Sequence, residues 1–191
     1  YARKKALHCE SPIRFGGKLN FLTHVAYTFA TDRHGFASRR ATRQLLPLID
    51  QFQPDLIHLQ AIHGYYVNIG MLFNYLKKKQ IPVVWTMHDC WAFTGHCAHF
   101  DYAGCDKWKT GCHDCPEKYQ YPISLLLDNS RGNYHEKKAL FNGLDHLTLV
   151  SPSQWLADLT RQSFLKDYPV RVIPNGVNLD VFRPQDSQFR Y

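Results

Sequence analysis

The sequence predicts an α/β domain built on a parallel, doubly wound sheet. Three observations predict it. Short apolar runs alternate with helical stretches along most of the chain; one of them, PVVWTM, is dense in β-branched and aromatic residues; and a stretch able to serve as a crossover helix stands between each run and the next.

The elements follow in order. Residues 19–30 read as a helix, and residues 38–52 as a second, with Ser38 as its N-cap and Leu45, Leu46, Leu48, Ile49 and Phe52 as its apolar stripe. Pro54-Asp55 then forces a turn into a short strand, residues 56–60 (LIHLQ). Residues 68–79 form an amphipathic helix whose three closing lysines suit the negative end of the helix dipole. Residues 82–87 (PVVWTM) are the next strand. A long cysteine-rich loop, residues 90–121, precedes a helix over residues 130–142 that Gly143 ends. Residues 146–150 (HLTLV) make a third strand and residues 153–164 a helix opened by Ser151-Pro152-Ser153. Residues 170–173 (VRVI) make a fourth strand, closed by Pro174-Asn175-Gly176.

With 191 residues and 45% hydrophobic content, the chain suffices for one domain with a sizeable core, not two. The formal charge of +7 favours a partner that carries phosphate: nucleic acid, nucleotide sugar or anionic membrane. No apolar run approaches the roughly 18 residues that span a bilayer.

In parallel sheets ligands bind beyond the carboxyl ends of the strands. Residues 60–66, 88–95, 151–153 and 175–176 should therefore line one crevice. His88-Asp89 offers a titratable pair at that edge, a candidate catalytic group, with a buried structural histidine as the alternative. His63, Gly64, Tyr65 and Tyr66 offer an imidazole, an approachable backbone and two aromatic faces suited to a sugar; Trp91, Thr94 and Gly95 extend the same surface. Plain packing is the competing reading. Ser151 and Ser153 set hydroxyls at a helix N-terminus, a seat for phosphate or simply a cap. Asn175-Gly176 reads first as a turn and only by position as a ligand contact.

Cys97, Cys105, Cys112 and Cys115 crowd one loop and end in a C-x-x-C pair. Four thiolates complete a tetrahedral Zn²⁺ shell with no open position, so such a site is structural. Reduced thiols and disulfides are the alternatives, and His96, His99 or His113 could each replace a cysteine.

Several separated segments then match one family in order: PDLIHLQAIHGYYVNI, PVVWTMHDCWAFTGHC, the cysteine run ending in YP, LVSPSQWLAD and VIPNGVNLDVFRP. Together they resemble the N-terminal domain of bacterial family 4 GT-B glycosyltransferases of the colanic-acid and capsule type. The resemblance implies a Rossmann-like domain, the N-terminal half of a GT-B fold, that mainly holds the acceptor. It also implies retaining sugar transfer from a nucleotide sugar to a saccharide or lipid-linked acceptor, with no catalytic metal. On that resemblance His88 reaches the donor sugar, Asp89 and Trp91 shape its pocket, and Asn175-Gly176 sit beside the interdomain cleft.

The same resemblance makes residues 1–184 an incomplete acceptor-side domain and residues 185–191 the start of a linker. A donor domain should follow Tyr191, and a first strand with its glycine-rich loop should precede Tyr1, Gly16-Gly17 standing too far from any preceding strand. The fragment alone should be inactive. A cytoplasmic location follows, with peripheral contact at the inner membrane face. A zinc-bearing nucleic-acid module is the competing class, but the basic residues form no single stripe, so no nucleic acid is expected. A dehydrogenase is poorer, because no G-x-G-x-x-G follows a strand.

Overall fold

The computed structural model describes residues 12–183. Residues 1–11 and the expected linker at residues 185–191 lie outside the described residues. In chain order the elements are α1 (Lys18–Thr31), α2 (Arg39–Phe52), β1 (Ile57–Gln60), α3 (Ile69–Lys79), β2 (Val83–Thr86), α4 (Ser130–Phe141), β3 (Leu147–Ser151), α5 (Gln154–Gln162) and β4 (Val170–Val172).

The four strands pair in parallel in the order β1-β2-β3-β4. Ile57 stands opposite Val83, Val83 opposite Leu147, and Leu149 opposite Val170. Parallel neighbours need a crossover at every step, and α3, α4 and α5 supply them. The α/β class and the parallel sheet are as the sequence predicts.

Period-2 alternation decides which side chains meet the helices. Leu59, Val83, Trp85, Leu147 and Leu149 are buried. They face α3 and α4, where the Trp85 ring lies 5.5 Å from Phe73 and 5.0 Å from Phe141. On the other face His58 and Gln60 are exposed, and the His58 ring hydrogen-bonds Thr86 Oγ1 at 2.8 Å. Cover was expected on both faces. Among the described residues this second face of the sheet keeps polar groups open to solvent.

Three local expectations change. Ser38 stands at the N-cap position of α2 with a left-handed backbone (φ 57°), and its hydroxyl caps nothing. It instead accepts from Asn20 Nδ2 at 3.0 Å and bonds His24 Nδ1 at 2.7 Å. The expected α2 stripe is only partly buried, and Phe52 is 70% exposed. Asn68 is not the first residue of α3 but its cap, Oδ1 accepting from Met71 N at 2.9 Å. The lysines that end α3 are engaged: Lys77 donates to Ala139 O at 3.0 Å and Lys79 pairs with Asp50 at 2.5 Å.

The loop after β2 has two 3₁₀ turns, Trp91–Phe93 and Lys107–Lys109, and a small core of its own. Phe100 stacks on Trp108 at 4.9 Å, with Phe93 5.4 Å from the same indole. The α1–α2 turn is tied to α4 through Arg33, which pairs with Glu136 at 2.6 Å. Asp32 adds a second tie, its Oδ2 accepting from Asn129 N at 2.7 Å. Among the described residues no helix is long and apolar enough to cross a membrane.

Candidate functional site

Gln60 and Thr86 are register partners, so the loops after β1 and β2 leave the sheet side by side. Between them lies a cleft of about 10 Å³ whose walls include Ala61, His63, His88, Asp89 and Trp91. Four residues singled out in the sequence therefore share one place. A shallower hollow of about 590 Å³ lies at the amino ends of the strands, lined by Pro82, Leu147 and Pro169, away from that edge.

The two loops are joined by an ion pair, His63 Nε2 to Asp89 Oδ2 at 3.0 Å. The other Asp89 oxygen accepts from Trp91 N at 2.9 Å. Burial pushes the Asp89 carboxyl up, but the hydrogen bond and charge of His63, with the Trp91 N–H, outweigh it and hold the group below its usual range. Asp89 is thus an anchored carboxylate, and His88, exposed at the rim, is the half of the pair open to a ligand. The His63 ring lies over Trp91 at 5.0 Å and 32°.

The loop after β1 is compact. Ala61 and Tyr65 both adopt positive φ (44° and 62°), and Gly64 N–H donates to Ala61 O at 3.1 Å. A Cβ on Gly64 would stand 3.0 Å from the Tyr66 ring, so this glycine closes the turn against its own neighbour. Tyr65 and Tyr66 part company here. Tyr66 donates to Gln60 O at 3.3 Å and packs on Phe15, whereas Tyr65 lies against His34 at 4.4 Å.

His34 is a residue that sequence reasoning missed. It comes from the α1–α2 turn and is only 3% exposed. Its ring sits 5.9 Å from His63, 5.4 Å from Trp91 and 5.8 Å from Tyr121, completing a nest of five rings. Neither ring nitrogen has a well-formed hydrogen bond. Burial, then the charges of His63, His24 and Lys137, push its pKa well below the ordinary value, so the ring is neutral. Tyr121 was likewise missed. Nothing in periodicity links residues 34, 63 and 121; only the fold brings them together.

Lys137 of α4 is the other unpredicted member. It is 1% exposed, and its ammonium donates to Trp91 O at 2.7 Å and Thr94 O at 3.0 Å while lying 3.7 Å over the Trp91 ring. Burial pulls its pKa down to about 7. A lysine at an amphipathic helix position reads as solvated, so the sequence carried no signal for it.

Thr94 and Gly95 belong to the back of the site, not its lining. Thr94 is buried, and its hydroxyl donates to Cys97 O at 2.6 Å. Any Cβ on Gly95 would overlap Ser130 O and stand 2.7 Å from Cys112 Cβ. Ser151 and Ser153 use their hydroxyls locally: Ser151 Oγ donates to Ser153 O at 2.7 Å, and Ser153 Oγ caps α5 by accepting from Leu156 N at 3.3 Å. Asn175 and Gly176 are exposed beyond β4. Gly16 and Gly17 border a separate cavity of about 340 Å³ with Asn20, Arg40 and Gln44, between α1 and α2.

Cys97, Cys105, Cys112 and Cys115 line one small cavity behind the loop. Cys112 Sγ accepts from Gly95 N at 3.1 Å, which ties that cavity to the site. The neighbouring Cys97 thiol holds Cys115 below its ordinary range. His113 pairs with its neighbour Asp114 at 3.0 Å, and His96 Nδ1 bonds buried Asp32. Among the described residues no three His, Cys, Asp or Glu side chains already converge as a metal shell.

The model of Glycosyltransferase Family 4 matches residues 7–181. One relative is a protein of Escherichia coli (strain K12), WcaC, whose name assigns it to colanic acid biosynthesis as a glycosyl transferase. It is 33% identical over 133 residues, which cover 66% of this chain and 32% of that protein. The chain thus spans about a third of the length of the curated relative it matches. No solved structure matches it.

Proposed function

This chain belongs to Glycosyltransferase Family 4, and we propose that it is the acceptor-side domain of a retaining enzyme that transfers a hexose from a nucleotide sugar. The acceptor is a saccharide or lipid-linked saccharide of cell-surface or capsular polysaccharide synthesis, in line with the name of its relative. The observation that carries this reading is the cleft between β1 and β2. There exposed His88 stands beside the fixed His63–Asp89 pair and the Trp91 ring. An imidazole at the rim can donate to or accept from a sugar hydroxyl, while Trp91, buried between His63 and Lys137, backs the wall behind it.

In the transfer, the acceptor hydroxyl oxygen bonds to the anomeric carbon as the bond to the nucleoside diphosphate breaks. The hydroxyl proton passes to the departing phosphate. His88 orients the donor sugar, and the anchored Asp89 keeps the loop in place. The reading needs no catalytic metal. It assigns the nucleotide mainly to a second domain, so this chain alone should be inactive.

The nucleotide-sugar donor implies a cytoplasmic reaction at the inner membrane face. Exposed Leu19 and Leu22 beside Lys18 on α1 supply an apolar and basic surface for peripheral contact. Sedimentation with anionic vesicles at low salt checks that contact; no binding removes it. Nucleic acid is not a partner in this reading, because the basic residues form no single stripe and no recognised nucleic-acid motif accompanies them.

The experiment is sugar transfer by the full-length enzyme from uridine or guanosine diphosphate sugars, with and without His88→Ala. Expected is a loss of about 100-fold with unchanged melting, the scale of misplacing a reacting group. A folded variant with full activity would remove His88 from the mechanism. Turnover by residues 1–191 alone would overturn the half-cleft.

A further inference from the structure

Four of the described cysteines come together in a place the transfer chemistry does not use. Cys97, Cys105, Cys112 and Cys115 line a cavity of about 10 Å³, enough for one small ion, walled also by Phe100, Trp108 and Pro116. All four are unpaired thiols. We propose that these four sulfurs form a structural zinc site that locks the loop carrying His88 and Asp89.

The surroundings favour a thiolate centre over packed thiols. Lys107 lines the same cavity and donates to the carbonyls of His113 and Asp114, both at 3.0 Å, pinning the C-x-x-C turn. Asp114 holds that turn with a left-handed φ of 44°. Asp128 accepts from Cys115 N at 2.6 Å, fixing its second end. Gly95 N–H already donates to Cys112 Sγ, the contact that metal-bound thiolates accept well. Trp108, 1% exposed, keeps its indole N–H without a partner at the same cavity; a thiolate is a stronger acceptor for it than a thiol.

The histidines do not compete for the shell. His113 is turned to Asp114, His99 is exposed, and His96 is held by Asp32. Lys107 in the cavity wall and Lys137, on Thr94 O at 3.0 Å, instead bring positive charge near the sulfurs. Four thiolates and one Zn²⁺ carry a net charge of −2, and these cations oppose it.

The sulfurs do not yet converge on one point. The side chains line one cavity, so binding turns the sulfurs inward and releases the thiol protons. A filled site would brace Gly95 through Cys112, and through Gly95 the segment from His88 onward.

The test is the metal content of the full-length protein purified without chelator, with no reference to transfer activity. Expected is about one zinc per chain, falling below about a tenth of that in Cys112→Ser and Cys115→Ser but retained in Cys90→Ser. Cobalt exchanged into the site should give intense thiolate charge-transfer and tetrahedral ligand-field bands. Fresh protein with little zinc, an octahedral cobalt spectrum, or full zinc in Cys112→Ser would each overturn the site. If the serine variants fail to fold, the wild-type stoichiometry and cobalt spectrum decide it alone.

Discussion

His63 Nε2 and Asp89 Oδ2 meet at 3.0 Å, and each residue lies three positions beyond the end of its strand. Because Gln60 and Thr86 are register partners, the equal offset brings the two loops to the same height. The contact therefore follows from the sheet, and it fixes the segment that carries His88.

Asp89→Ala removes the partner of His63 and leaves the Trp91 N–H unpaired. The cost is about 1–3 kcal/mol of stability, read by denaturant unfolding at pH 7. The wild-type contribution is full above the ordinary carboxylate range, because the folded pKa is lowered, and is lost as pH falls through that lowered value. An unchanged midpoint in the variant would show that the pair holds nothing in place.

Lys137→Met tests the buried ammonium beneath the same loop. The variant drops a cation whose pKa burial pulls to about 7, which favours the apolar replacement. It also strips Trp91 O and Thr94 O of their donor, which opposes it. Stability should change by no more than about 2 kcal/mol, while transfer by the full enzyme falls about 10–100-fold as the loop shifts. Trp fluorescence reports the shift, since Lys137 lies 3.7 Å over the Trp91 ring. Unchanged emission with unchanged turnover would leave Lys137 without a positioning role.

Much of this fold was legible because strands and crossovers write their own periods. LIHLQ and HLTLV are short and mostly apolar, as buried strands are, and PVVWTM is dense in β-branched and aromatic residues. The edge residues His63, His88, Asp89 and Trp91 followed from topology, and they share a cleft. His34, Tyr121 and Lys137 did not, because their roles depend on contacts across 29 to 87 positions, which no local pattern encodes. Hydroxyl residues left two readings open for a different reason. Thr94, Ser151 and Ser153 satisfy nearby backbone groups, and a capping hydroxyl looks the same in sequence as one that meets a ligand.

Gly95→Ala addresses the seam between the loop and α4. Its Cβ would overlap Ser130 O and crowd Cys112 Cβ at 2.7 Å, so backbone has to move. The expected loss is about 1–3 kcal/mol, seen as a lower unfolding midpoint. Gly111→Ala is the comparison, since nothing lies within 4 Å of a Cβ there. Equal behaviour of the two variants would contradict the close docking of residue 95.

Acidification should act through His24, whose ring is committed to its neutral form. Its Nε2 accepts from Gly35 N at 3.1 Å, so Nδ1 carries the proton toward Ser38 Oγ at 2.7 Å. Burial lowers its pKa to about 4 from an ordinary 6.5. Above 6.5 neither the folded nor the unfolded chain carries the proton, and the stability is complete. Between 6.5 and 4 the unfolded chain takes up a proton that the folded chain refuses, so stability falls with pH. The loss from His24 alone is about 3 kcal/mol, and buried His34 adds to it in the same direction. His96 acts in the other window: its raised pKa keeps its contribution whole below 6.5 and removes it as pH rises. Unfolding midpoints across pH 7 to 4 should therefore slope downward in the wild type and flatten in His24→Gln. A parallel slope in that variant would mean that the ring titrates freely in the fold, and that its bond to Gly35 is not what holds the α1–α2 turn.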